Sequence, residues 1–174
     1  MRNLEKRLQK LYIFIKDADR VNSSVSSANV GWHIEHSLLV IIKMISALTA
    51  SDPAQYKWKF NLARAIVFTI NKFPRGKGKA PDAVNPKQIE KTDFDALFTK
   101  TREKIEELKK ADPNKFYEHN IFGVLNKKNT FIVLDIHTNH HIQIIKILLH
   151  KIKKHAISTK EQKSKGLIGF LLFI

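Results

Sequence analysis

Long apolar stretches that recur with the period of a helix, and never for long with the period of a strand, most constrain how this chain can fold. Across 3–19 the apolar positions are Leu4, Leu8, Leu11, Tyr12 and Ile15, one stripe of a 3.6-residue helix. Across 27–49, SANVGWHIEHSLLVIIKMISALT is apolar on most sides in its LLVIIKMI section, so this helix should lie at the centre of the fold. A third helix is expected from the SDP at 51–53, with Ser51 or Asp52 as N-cap and Pro53 in the first turn, through YKWKFNLARAIVFTINKF to Pro74. A fourth covers 93–110, and a last one covers 127–154 with Asn126 as its cap. No run alternates with period two for long enough to require a sheet. The expected fold class is all-α: four or five helices in one bundle with long connections.

The breaks are equally legible. VNSSVSSAN at 21–29 has four serines and two asparagines and offers several N-caps. PRGKGKAPDAVNP at 74–86 and ADPNKFYEHNIFGVLNKKN at 111–129 read as connections. The bundle domain is expected to span 1–155, followed at 156–174 by a tail that is basic and then apolar, ending LIGFLLFI. Trp58 and Phe60 are expected in the bundle core or at a dimer contact.

Composition limits the function. With no cysteine, disulfides and thiolate metal sites are excluded. No stretch reaches the ~18 apolar residues of a membrane span, and the charged start MRNLEKRLQK lacks a signal peptide's apolar core, so a cytoplasmic protein is expected. The net charge of +15 draws polyanions, but no zinc-finger spacing or arginine cluster accompanies it, and no specific nucleic-acid partner is expected. PRGKGKAP lacks the spacing of a phosphate-binding loop and reads as a basic connection.

The chemistry concentrates in DIHTNHHIQII, 135–145. His137 and His141 lie four apart, on one face of a helix and one turn along it, so two imidazoles can reach one ion. His140 adjoins His141 and falls off that line. The further donor is expected from GWHIEH, where His33 and His36 share a face. Spacing alone leaves open a metal centre, hydrogen-bonded core histidines and a metal-free acid–base site. HTNHH is not the HExxH pattern of zinc peptidases.

HNIFGVLNKKNTFIVLDIHTNHHIQII resembles the C-terminal signature of the DinB-like superfamily, in its DUF1569 family, where a His-Pro-Phe-Phe-Gly-like turn leads to a helix with His-x-x-x-His and a following Gln. VSSANVGWHIEH resembles that family's first motif, although Val25 stands in place of its leading tryptophan and Asn120 in place of the turn's proline. The resemblance covers roughly 20–150. It implies an up-down-down-up four-helix bundle, often dimeric, that holds a divalent ion on three histidines. Carried onto this chain, those are His33, His137 and His141, with His36 as the alternative to His33. Three imidazoles leave a position for water or a small-molecule substrate, and zinc, nickel or iron(II) suits such donors. The activities this implies are a metal-dependent transferase or hydrolase acting on a small thiol or electrophile, or a non-enzymatic stress-associated binding module. Glu35, Asp135 and Asn139 are the nearby polar groups that could orient water.

Overall fold

In a computed structural model, the described residues are 2–73, 82–86 and 92–171, with side chains described for 3–73, 82–86 and 92–154. The order is α1 (Arg2–Ile13), α2 (Val30–Thr49), α3 (Leu62–Ile70), α4 (Phe94–Lys110), a hairpin of β1 (Phe116–His119) and β2 (Gly123–Asn126), and α5 (Lys127–Leu171). Short 3-10 turns occupy Phe14–Asp17, Pro53–Gln55 and Asp82–Val84. The architecture is mostly helical, with several helices packed together. PRGKGKAP and the side chains of the tail lie outside the described residues.

The sequence period explains the packing. Leu4, Leu8 and Leu11 of α1 are all buried. In α2 Ile34, Leu38, Ile41, Ile45 and Leu48 are fully enclosed, and this helix packs on both α4 and α5, while α1 packs on α5. Phe98, Ile105 and Leu108 of α4 and Leu134, Ile142, Ile145 and Leu148 of α5 complete one core. Capping sets the helix starts: Asn29 accepts from the Trp32 amide, Asp93 from the Ala96 amide, and Asn126 from the Asn129 amide. Two lysines occupy helix C-terminal ends, where cations are favoured. Lys115 donates to the Thr49 and Ser51 carbonyls at the C-terminal end of α2, and Lys127 to the Lys109 and Ala111 carbonyls at that of α4.

Three expectations need correction. The last helix, expected to end at 154, continues to Leu171 through the stretch assigned to the tail. The third helix does not run from 51: after the Pro53–Gln55 turn, capped by Asp52, the chain stays irregular until Asn61 caps α3. Trp58 and Phe60 accordingly stand outside the core, at 66% and 68% exposure. The loop expected at 111–129 contains the antiparallel hairpin, paired from Phe116↔Asn126 to His119↔Gly123. Its strands are only four residues long, too short for period two to register. Gly123 has φ 63, a left-handed conformation suited to a three-residue hairpin loop, and a Cβ there would meet the Asn61 amide at 3.4 Å.

Arg64 of α3 locks this turn. Its buried guanidinium donates to the Phe122 carbonyl at 3.3 Å, the Val124 carbonyl at 2.5 Å and the Lys59 carbonyl. One residue therefore ties α3, the irregular segment and the hairpin together beside the histidines.

Candidate metal centre

The first turns of α2 supply His33 and His36, and the middle of α5 supplies His137, His140 and His141. Their helices pack together, and the contact brings one ring nitrogen each from His36, His137 and His141 within 4.8 Å of one another. The ring centroids are 5.1 Å apart for His36–His137, 4.8 Å for His36–His141 and 4.6 Å for His137–His141. This is a buried three-histidine cluster capable of coordinating a metal ion.

Hydrogen bonds define which nitrogens face inward. His36 Nδ1 lies 2.6 Å from the Val84 carbonyl. A carbonyl only accepts, so Nδ1 carries the proton and Nε2 presents its lone pair. Such an outer bond is how metal-binding imidazoles are oriented. His141 Nδ1 is 2.9 Å from His33 Nδ1, and His33 Nε2 is 3.1 Å from Ser26 Oγ. These contacts are compatible with the proton arrangement a metal requires: His141 Nδ1–H donates to His33 Nδ1, His33 Nε2–H donates to Ser26 Oγ, and His141 Nε2 keeps its lone pair; the reverse arrangement, with Ser26 as donor, places a proton on His141 Nε2. His137 Nδ1 is buried and has no hydrogen-bond partner among the described residues. A buried polar atom left in this way is costly, and an ion beside it would remove the cost.

Electrostatics favour the ligand form of each ring. Burial holds His137 and His141 well below the ordinary histidine range, reinforced for His137 by His36, His140 and His119, and for His141 by His137, His36, His33 and His140. Burial also lowers His36, opposed by its bond to Val84. All three are therefore neutral at pH 7, the state that binds metal. Among the described residues the cluster contains no carboxylate. Glu35 accepts from Thr92 Oγ1 at 2.5 Å, Asp135 pairs with Arg7 at 2.5 and 2.8 Å, and Asn139 accepts from Gln143 at 3.2 Å.

The structure thus groups His137 and His141 with His36, and places His33 against His141 and Ser26, alongside the cluster. His140 meets His141 edge-on at 5.2 Å and Phe73 at 6.1 Å. Sequence reasoning missed the enclosing groups. Trp32 stacks on His36 at 4.7 Å and is anchored by Nε1–H donation to Asn85 Oδ1 at 3.1 Å. Phe73 packs edge-on to His137 at 5.9 Å and stacks on Phe122 at 5.6 Å. The i, i+4 spacing of Trp32 and His36 was a usable signal for the first; nothing local announces Phe73 or Val84.

Fold and site together define a helical-bundle protein with a buried three-histidine cluster suited to metal. Compared with family models, curated proteins and solved structures, the chain finds no match.

Proposed function

We propose that this chain binds one divalent transition ion through His36, His137 and His141, and that a position stays open on the ion for water or a small substrate. The carrying observation is the unpartnered buried Nδ1 of His137, in a ring set between two imidazoles whose own Nδ1 atoms are already engaged. Three imidazoles are neutral donors, so a bound ion would keep its full positive charge and act as a Lewis acid toward an anionic fourth ligand. Hydroxide and thiolate are such ligands, which favours a transferase or hydrolase handling a small thiol or electrophile over a closed structural site. Zinc, nickel and iron(II) all accept this donor set.

This reading keeps the DinB-like, DUF1569-type relationship as a proposal resting on the two quoted motifs, supported by helical architecture and by histidines from both motifs meeting. It takes the donor from the first motif to be His36. The chain's own residues have separable tasks in it. Val84 and His33 orient two donors, Trp32 covers one ring of the cluster, and the Phe73–Phe122 pair forms an apolar wall beside His137.

Elemental analysis of purified protein, with anomalous diffraction at the absorption edge of the ion found, tests the proposal. One equivalent of a transition ion bound to nitrogens of these three residues is expected. Full metal occupancy in both His137→Ala and His141→Ala would overturn it.

A further inference from the structure

The face of the molecule formed by α3 and the segment before it is apolar, exposed and has no use in the metal centre. Trp58, Phe60, Leu62, Ile66, Ile70 and Ile121 are each half or more exposed. Leu62, Ile66 and Ile70 follow one another at i, i+4 and i+8, a single stripe on the side of α3 away from buried Arg64 and Val67. Trp58 and Phe60 lead directly into that stripe. Asn61, the cap of α3, donates to the Ile121 carbonyl at 3.1 Å and so places Ile121 at the helix's N-terminal end. A soluble helix ordinarily points one stripe inward and leaves the other polar; this one is apolar on both sides.

Charge identifies the occupant. From 53 to 81 the chain has no aspartate or glutamate, and besides the buried Arg64 it has six cationic residues, Lys57, Lys59, Lys72, Arg75, Lys77 and Lys79, of which Lys57, Lys59 and Lys72 are exposed in the described structure. Lys57 and Lys59 alternate with Trp58 and Phe60, and both are exposed. A second copy of the chain would bring a like-signed face and another +15 against this one. A nucleic acid would match the charge and could stack on Trp58 and Phe60, but four aliphatic side chains offer it nothing to stack on. An anionic lipid surface matches every component. Acyl chains take the Leu and Ile stripe, the headgroup level suits tryptophan, and anionic headgroups attract the lysines. No helix among the described residues is long and apolar enough to cross a membrane, so any attachment through this face lies in the interface.

We infer that the Trp58–Ile70 face is a peripheral docking surface for an anionic lipid bilayer. The inference is independent of the metal centre. The test is flotation of the full chain with vesicles of phosphatidylcholine alone and of phosphatidylcholine mixed with phosphatidylglycerol, together with tryptophan fluorescence. Binding to the mixed vesicles, with a blue shift absent in Trp58→Phe, is expected; Trp32, the second of the two tryptophans, is held by Asn85 and does not move. A lysine near a charged surface contributes about 1 kcal/mol, about five-fold in partition, so Lys57→Gln with Lys59→Gln should bind about 25-fold more weakly. Ile66→Ser with Ile70→Ser, changed only at exposed positions and shown folded by circular dichroism, should lose flotation. The inference is overturned by equal binding to both vesicle types, by no binding to either, or by undiminished flotation of the double serine variant. It is overturned equally by a dimer that this variant dissolves, or by Trp58 responding to single-stranded DNA and not to vesicles.

Discussion

His36→Ala probes the metal centre most sharply, because His33 lies three positions away on the same helix and serves as an internal control. The alanine removes an imidazole whose Nδ1 is held by the Val84 carbonyl at 2.6 Å and leaves two donors in place. Four-donor structural zinc sites bind with about 10–16 kcal/mol near neutral pH, or about 2.5–4 kcal/mol per donor, so affinity should fall by about 70- to 900-fold. His33→Ala removes only the group that meets His141 Nδ1 at 2.9 Å, and loss of such an outer partner costs about 10- to 100-fold. Competition against a chromogenic zinc chelator measures both, with circular dichroism and thermal melts showing that each variant is folded. The expected order of affinity is wild type, His33→Ala, then His36→Ala. A folded His36→Ala protein that binds zinc more tightly than folded His33→Ala would refute the assignment and return His33 as the α2 donor.

Three further outcomes follow from the same structure. Phe98 is fully enclosed where α4 meets the core, so Phe98→Ala should lower stability by about 3–5 kcal/mol in urea titrations, and a loss under about 1 kcal/mol would contradict that packing. Arg64→Met strips three backbone carbonyls of their donor and should cost about 2–4 kcal/mol by the same measurement, with Arg64→Lys recovering part of it. Burial lowers His36, His137 and His141 in the fold, whereas the unfolded chain protonates near 6.5. The stability these groups provide is therefore complete above that pH and is lost as pH falls through it toward the lower folded values, by up to about 1.4 kcal/mol per pH unit for each buried ring. Melting of the metal-free protein at about pH 7.5 and about pH 5.5 checks this; an unchanged midpoint would contradict it.

What could be read ahead of the structure was what the chain encodes locally. The stripe Leu4–Leu8–Leu11, the cap Asn126 before α5 and the start of α4 after Asp93 all depend on residues within a turn or two of each other. The pitch of His137 and His141 is local in the same sense, and both join the cluster. What could not be read depends on contacts far apart in sequence. YKWKF carries helix-like apolar content, yet the chain leaves the helix there because Asn61 supplies the cap that starts α3, and Arg64 then binds the hairpin 58 and 60 residues away. Asp135 lies two residues from a candidate ligand, but Arg7, 128 residues distant, claims its carboxylate.

The choice between His33 and His36 shows the same limit at its narrowest. The two side chains leave α2 about 60° apart, and both are buried, so no apolar pattern ranks them. The rotation of α2 is fixed by Ile34, Leu38, Ile41 and Ile45, which the core encloses completely. That rotation still leaves both histidines near α5, each with a ring contact to His141. The Asp82–Val84 turn separates them. Its carbonyl at Val84 takes the Nδ1 proton of His36 and leaves Nε2 unprotonated, while His33 meets His141 and Ser26 through its two nitrogens. A histidine with one nitrogen held by a carbonyl has the other to offer an ion; one bonded through both has none. In the proposed centre the choice of donor therefore rests on a loop 48 residues along the chain, which no reading of GWHIEH alone could include.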